Sequence, residues 1–274
     1  MAYDDRESSL ESGAPLYCYL FRQDALIYAY TSADRPQEIN NITFESGVQI
    51  SDDGQRSSGE TQASTKSVTL SAASAISRQY REYTPSAAVS LTVWTKHEGD
   101  PDYVVSWVGL VMDAAWLDQA TCRLNCQTIA AAMSSPGLIR CWQRNCSNVL
   151  YDSDCGVAQS SYRNEVVANT VDGLSVYVLG IDPIDTPSGY YTGGILEWRT
   201  VAGATERRGI RSHVDNQLVL LGGTAGIPPN SPITIYPGCN LTIQTCRDKY
   251  GNEDNYGGQP HQPGRSPFDG NQIF

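Results

Sequence analysis

Two cysteine pairs carry the residue types and spacing for metal chemistry. Cys239 and Cys246, spaced C-x6-C, open the tract CNLTIQTCRDKYGNEDNYGGQPHQPG at 239–264. Cys146 and Cys155, spaced C-x8-C, lie upstream in RNCSNVLYDSDCGV. Thiolates that bind Zn or an iron–sulfur cluster are commonly presented on turn-rich loops, because loop amides can donate to the sulfurs. Buried structural thiols or two disulfides would use the same residues, and both spacings are looser than those of compact zinc knuckles. Cys141, five residues before Cys146, is a fifth candidate. The tract from Cys239 is so rich in Asn, Gly and Pro that neither helix nor strand is expected to survive in it. A four-thiolate site joining the two pairs would hold such a backbone in place.

The elements that must position these residues read mainly as β structure. Residues 14–44 read as strands, with Leu16, Cys18 and Leu20 on one face of the first and Tyr17, Tyr19 and Phe21 on the other, and a turn at Gln23-Asp24 before Leu26–Tyr30. Residues 46–66 read as loops around short edge strands, and 66–71 as a strand. A short helix is expected over 72–83, stopped by Pro85. Strands at 87–96, 103–112 and 115–127 follow in meander order, and in the third Cys122, Leu124 and Cys126 share a face. Those two cysteines and Cys18 read as small core residues. A helical stretch at 128–133 leads to Ser134-Ser135-Pro136-Gly137, the expected boundary between an N-terminal β domain, 1–137, and a loop-rich C-terminal β domain, 138–274. In the second domain strands are expected at 164–168, 176–179, 194–201, 205–212 and 217–221, with further ones at 233–236 and 241–243. Residues 202–204 form a Gly-containing hairpin loop.

Composition narrows the function. A chain of 274 residues can bury one large core or two modest ones. Only 18% of residues are charged and the net charge is −11, so no basic stripe exists to neutralise phosphates and nucleic-acid specificity is not expected. No run approaches the length of a transmembrane segment. The polar, acidic opening MAYDDRESSLESG is not a secretion signal, so a reducing cytosol is the expected first compartment and persistent disulfides are not expected. Enzyme signatures are missing. The 3 histidines, His97, His213 and His261, belong to no hydrolase or zinc-protease pattern. The run Gly222-Gly223-Thr224-Ala225-Gly226 lacks the Lys and helix of a phosphate loop, and Asp52-Asp53 and Glu253-Asp254 read as turn residues with solvated charge.

Three runs together resemble a known family. YREYTPSAAVSLTVW…VSWVGLV, CWQRNCSNVLYDSDCGV and the tract at 239–264 are similar to the tail-tip hub proteins of long-tailed bacteriophages. That family includes the minor tail protein L of lambda-like phages and the hub protein of gene transfer agents, and the opening through YAYTSADR resembles its start. The resemblance implies a mainly β, two-domain protein whose C-terminal domain is stapled by a [4Fe-4S] cluster, or alternatively Zn, on Cys146, Cys155, Cys239 and Cys246. It departs from lambda-like members in the long stretch between Cys155 and Cys239, and in Gln259 where the family has an apolar aromatic. It further implies a non-enzymatic structural protein of the virion tail tip, a homotrimer. Its partners would be the distal tail protein, the central-fibre or receptor-binding hub protein and the tape-measure protein. A metal-dependent or redox enzyme of the tail tip, such as a wall-degrading enzyme, and a receptor-binding module are the alternatives. The segment from Asn252 to Pro263 is expected to be ordered against the cysteines, with Tyr250 and Tyr256 as lids.

Overall fold

The computed structural model describes residues 6–9, 13–54, 65–81, 83–132, 141–182 and 184–262. The chain divides into two compact units. The first comprises Met1–Ser135 with Thr200–Glu206, the second Pro136–Arg199 with Arg207–Phe274. The boundary expected at 137 lies outside the described residues.

The first unit is built on nine strands, β1 (Pro15–Gln23), β2 (Leu26–Thr31), β3 (Gln37–Ile39), β4 (Ile42–Phe44), β5 (Ile50–Asp52), β6 (Thr65–Ser71), β7 (Val89–His97), β8 (Tyr103–Trp116) and β9 (Thr121–Thr128). Seven of them form an antiparallel sheet in the order β2-β1-β7-β8-β9-β6-β5, while β3 and β4 pair as a separate hairpin. Successive side chains of a strand point to opposite faces, and β1 shows what that does. Tyr19 and Phe21 enter a core with Leu91, Val93, Trp107, Cys122, Leu124 and Cys126. Cys18 and Leu20 enter a smaller cluster with Ile39, Phe44 and Trp94. The expected alternation of β1, the β7–β8–β9 meander and the buried face shared by Cys122, Leu124 and Cys126 are therefore all present.

Three local readings are corrected. Helix α1 spans only Ala75–Gln79, because Ser74 caps it and its side chain accepts from the Ser77 amide. Strand β8 runs on to Trp116, and Asp118 turns the chain by accepting from the Ala120 amide at 2.7 Å, so β9 begins at Thr121 and not at 115. Asp52 is not solvated. It lies 2.7 Å from Lys66 in an ion pair whose side chains are both nearly buried.

The second unit holds a closed antiparallel barrel made of β10 (Asn164–Asp172), β11 (Ser175–Leu179), β12 (Ile195–Arg199), β13 (Thr205–Val214), β14 (Gln217–Leu220) and β15 (Ser231–Tyr236). Its order, β10-β11-β14-β13-β12-β15, closes through antiparallel pairing of β10 with β15. Closure removes the unpaired edges that an open sheet would expose. Register shifts after Ala168 and after Ile210 bend the strands where the wall must curve. Inward residues Val166, Ala168, Val176, Leu196, Trp198, Leu218 and Ile235 fill the barrel. The Gly222–Gly226 run is a structural loop here. The Trp198 indole donates to the Gly226 carbonyl at 2.8 Å, and the Arg208 guanidinium donates to the carbonyls of Gly222, Gly223 and Ala225.

Candidate metal centre

Strand β15 leaves the barrel at Tyr236 and delivers Cys239 three residues later. The expectation of no helix after Cys239, and of a strand at 241–243, is overturned. Helix α2 closes the first unit's described part at Ile129–Ala132, and helix α3 runs over Ile243–Tyr250 with Cys246 buried in it. The reason is local. Thr242 caps α3 by accepting from the Thr245 amide at 3.3 Å, the run IQTCRDKY contains no Gly or Pro, and Gly251 ends it in the left-handed conformation at φ 57°. The turn formers take over only from there, beginning with a single 3-10 turn at Glu253–Asn255.

The loop carrying the first pair is stitched to this helix. The Cys146 amide donates to the Leu241 carbonyl at 2.9 Å. Asp152 accepts from the Cys155 amide at 2.6 Å, which fixes the turn leading into Cys155. The Gly-rich segment then closes over both. The Gln259 amide donates to the Gln143 carbonyl at 2.8 Å, and the Tyr256 hydroxyl donates to the carbonyls of Arg144 (2.8 Å) and Leu241 (3.1 Å). A Cβ on Gly258 would stand 2.6 Å from the Arg144 carbonyl oxygen, and one on Gly257 would stand 2.5 Å from the Asn148 side chain. At Gly258 the two backbones approach too closely for a side chain, and at Gly257 the Asn148 side chain takes the room a Cβ would need. Residues 252–262 are ordered as expected, and Pro263 lies outside the described residues.

Cys146, Cys155, Cys239 and Cys246 all line one cavity of about 20 Å³, walled by Leu150, Val157, Tyr250 and Tyr256. Three sulfurs accept hydrogen bonds. The Gly257 amide donates to Cys146 Sγ and the Leu241 amide to Cys239 Sγ, each at 3.3 Å, and Asn252 Nδ2 donates to Cys155 Sγ at 3.8 Å. The Cys246 thiol instead donates to the Asn252 carbonyl at 3.1 Å. Burial, and then the neighbouring Cys239, Cys146 and Cys155, push the Cys246 thiol up to about 11; burial foremost also raises Cys239. Among the described residues no group of three or more His, Cys, Asp or Glu side chains is arranged to hold a metal ion. The thiols thus share one cavity without closing on a single point.

Cys141 is set apart. It is exposed and lines a wider cleft of about 630 Å³ that reaches Cys146 and Cys239. Cys18, Cys122 and Cys126 are buried in the first unit. His261 is exposed, whereas His213 is buried against Tyr191 and its Nε2 lies 2.8 Å from the Asp215 carbonyl. Tyr250 and Tyr256 line the cavity, as expected of them, while sequence reasoning missed Tyr151 and Tyr162 behind Tyr250. Tyr250 packs edge-on against Tyr151 and Tyr162, and its hydroxyl donates to the Gly238 carbonyl at 2.9 Å. Also missed was Asn252, for which a tract of mixed polar residues offers no periodic signal.

Among the described residues no helix is long and apolar enough to cross a membrane. No curated protein matches the chain. A solved structure, from the virion of a native gene transfer agent particle, matches with a TM-score of 0.80 at 18% identity, over 100% of this chain and 99% of that one. At that identity the likeness is one of fold. Residues 189–266, which contain Cys239, Cys246 and the Gly-rich segment, match the family described as phage conserved hypothetical protein BR0599. Residues 6–158 match the family described as baseplate hub protein, N-terminal attachment domain. That match spans more than half of the chain, which belongs to the baseplate hub family.

Proposed function

We propose that this chain, a structural baseplate hub protein of the phage tail, joins the end of the tail tube to the central-fibre or receptor-binding proteins. In this reading it forms a three-fold ring, with the distal tail protein on one side and the tape-measure protein ending within reach. The family match over residues 6–158 carries the hub assignment. Closed rings arise when one surface of a subunit meets a different surface of the next and the rotation closes. Reconstruction of tail tips should place three copies around the tail axis; a two-fold arrangement, or a location away from the tip, would refute the ring.

The second part of the proposal is that Cys146, Cys155, Cys239 and Cys246 hold a [4Fe-4S] cluster that staples the second unit. Support comes from their convergence on one cavity, the amides aimed at Cys146 and Cys239, and the aromatic cover. A single ion asks four sulfurs to meet within about 2.3 Å of one point. A cluster binds each sulfur to a different iron and so does not ask the four to meet at one point. Bound, such a group supplies cross-linking strength: it ties the 141–157 loop to α3. Four cysteines leave no coordination position open for substrate, which suits a staple. Zinc is the second reading, favoured by the cavity's size, since about 20 Å³ is roughly the room of one water. Metal analysis of protein purified without oxygen separates the two.

A further inference from the structure

Segment Thr200–Glu206 groups with the first unit, although the chain on either side of it belongs to the second. Its turn is set locally. The Thr200 amide donates to the Ala204 carbonyl and the Gly203 amide to the Thr200 carbonyl, each at 2.9 Å, and the Ala204 amide donates to Thr200 Oγ1 at 3.1 Å. Val201 stands fully exposed at the tip, whereas Ala204 and Glu206, two positions apart, are both buried. Only 2% of Glu206 is exposed, and each of its carboxylate oxygens has a donor in the first unit. Gln23 Nε2, at the end of β1, donates to Oε1 at 3.3 Å, and the Ser86 amide, between α1 and β7, donates to Oε2 at 2.7 Å. Gln79 Nε2, at the end of α1, donates to Gln23 Oε1 at 2.8 Å, which turns the amide nitrogen of the fully buried Gln23 toward Glu206. Among the described residues no cation pairs with Glu206, whereas Asp52 in the same unit is neutralised by Lys66.

A carboxylate taken out of water is costly unless it is hydrogen-bonded, and donors buried without their acceptor are costly in turn. Bonds from neutral N–H groups to a carboxylate are strengthened by its charge. Here the donors come from segments 120 and 183 residues away in sequence, and they are aimed before any cation is needed. We propose that the first unit contains a carboxylate-binding site, formed by Gln23 and the Ser86 amide with Gln79 orienting Gln23, and that Glu206 is its built-in ligand. Occupancy of this site seats segment 200–206 in the unit. The site selects a carboxylate, because an amide in its place offers one acceptor and sets its own N–H groups against a donor. It stands apart from the cysteine cavity and depends on no metal.

The test uses the full chain and reads hydrogen exchange in peptides covering residues 84–88 and 200–206, with the melting temperature of the first unit beside it. In Glu206→Ala the Ser86 amide and the Thr200–Ala204 turn should exchange about tenfold faster than in wild type, and melting should fall by on the order of 5 °C. Sodium formate, a free carboxylate small enough for the vacated space, should return both toward wild type, while sodium chloride at equal ionic strength should not. Glu206→Gln keeps the size and loses the charge, so it should exchange as fast as the Ala variant and gain nothing from formate. Wild-type exchange in Glu206→Gln, or equal effects of formate and chloride on Glu206→Ala, overturns the proposal, since either result reduces Glu206 to a packing residue. Should Glu206→Ala fail to fold, Gln23→Leu decides. Loss of the donor to Oε1 should quicken exchange at Ser86 and over 200–206, and wild-type exchange there overturns the proposal.

Discussion

Of the cavity thiols, Cys239 and Cys246 are pushed toward the neutral form, in both cases by burial first. Burial first, then the neighbouring thiols, raise Cys246 from 9.0 to about 11, so deprotonation near neutral pH calls for a cation, and metal loading there would release a proton. The sign for stability follows from linkage. The folded state holds the Cys246 proton more tightly than the unfolded chain does, so this contribution is full below about pH 9 and is lost as pH rises to about 11. Metal-free protein should therefore melt at progressively lower temperature across that window, and loaded protein should not; a flat metal-free profile would show that Cys246 is not held among other thiols. Each of Cys146→Ser, Cys155→Ser, Cys239→Ser and Cys246→Ser should lose the metal and lower the melting temperature of the second unit by on the order of 10 °C. Cys141→Ser should keep both, because Cys141 lines the outer cleft and not the cavity. Full metal occupancy in any one of the four cavity variants would remove that residue from the ligand set.

At the scale of elements, the Gly-rich segment is a cover held by other backbone and not by a ladder of its own. Tyr256→Ala removes the hydroxyl that donates to the Arg144 and Leu241 carbonyls, and Gly257→Val drives a side chain into Asn148. Both should speed bleaching in air severalfold over wild type while the first unit stays folded by circular dichroism; wild-type bleaching rates would make the segment an assembly arm instead. In the first unit, Leu124→Ala should cost about 3 kcal/mol in urea unfolding and leave metal content unchanged, since it opens a cavity in the sheet core alone. Strands were the legible part of this fold. The two faces of β1 and the inward run Cys122, Leu124, Cys126 follow from a period of two, which is visible in a few residues. Barrel closure was not legible, because pairing Val166 with Ile233 depends on contacts between segments far apart in the chain. Helix α3 was legible and was missed. Taken whole, the tract from Cys239 is dominated by turn formers, but its glycines begin at 251 and Thr242 with Thr245 offers a cap ahead of a Gly-free run. The two cysteine pairs were nominated by their turn-rich setting, with family resemblance favouring a cluster on them, whereas the docking of the Cys146 loop on Leu241 is a backbone contact that leaves no mark on side-chain pattern.

For the whole molecule, the two units divide the labour differently from two enzyme domains. One is an open seven-stranded sheet within the residues matched as an attachment domain, and the other is a closed barrel carrying the cysteine cavity. An open sheet can form further contacts, and a metal on the four cysteines, as proposed, would tie the second unit's loops together. In the proposed ring the metal would therefore matter to assembly: metal-free protein should enter tail tips poorly, measured as hub copies per particle when the four cysteine variants complement a hub-deficient phage. Incorporation at wild-type level would separate the metal from assembly. The most direct test of the account is metal and sulfide analysis, with a visible spectrum, of the full chain purified without oxygen beside its four cavity serine variants and Cys141→Ser. The account predicts brown protein with about four irons and about four sulfides per chain, lost in each of the four and kept in Cys141→Ser. Colourless wild-type protein without iron or zinc, whose four cavity thiols all react with a thiol reagent, would contradict it.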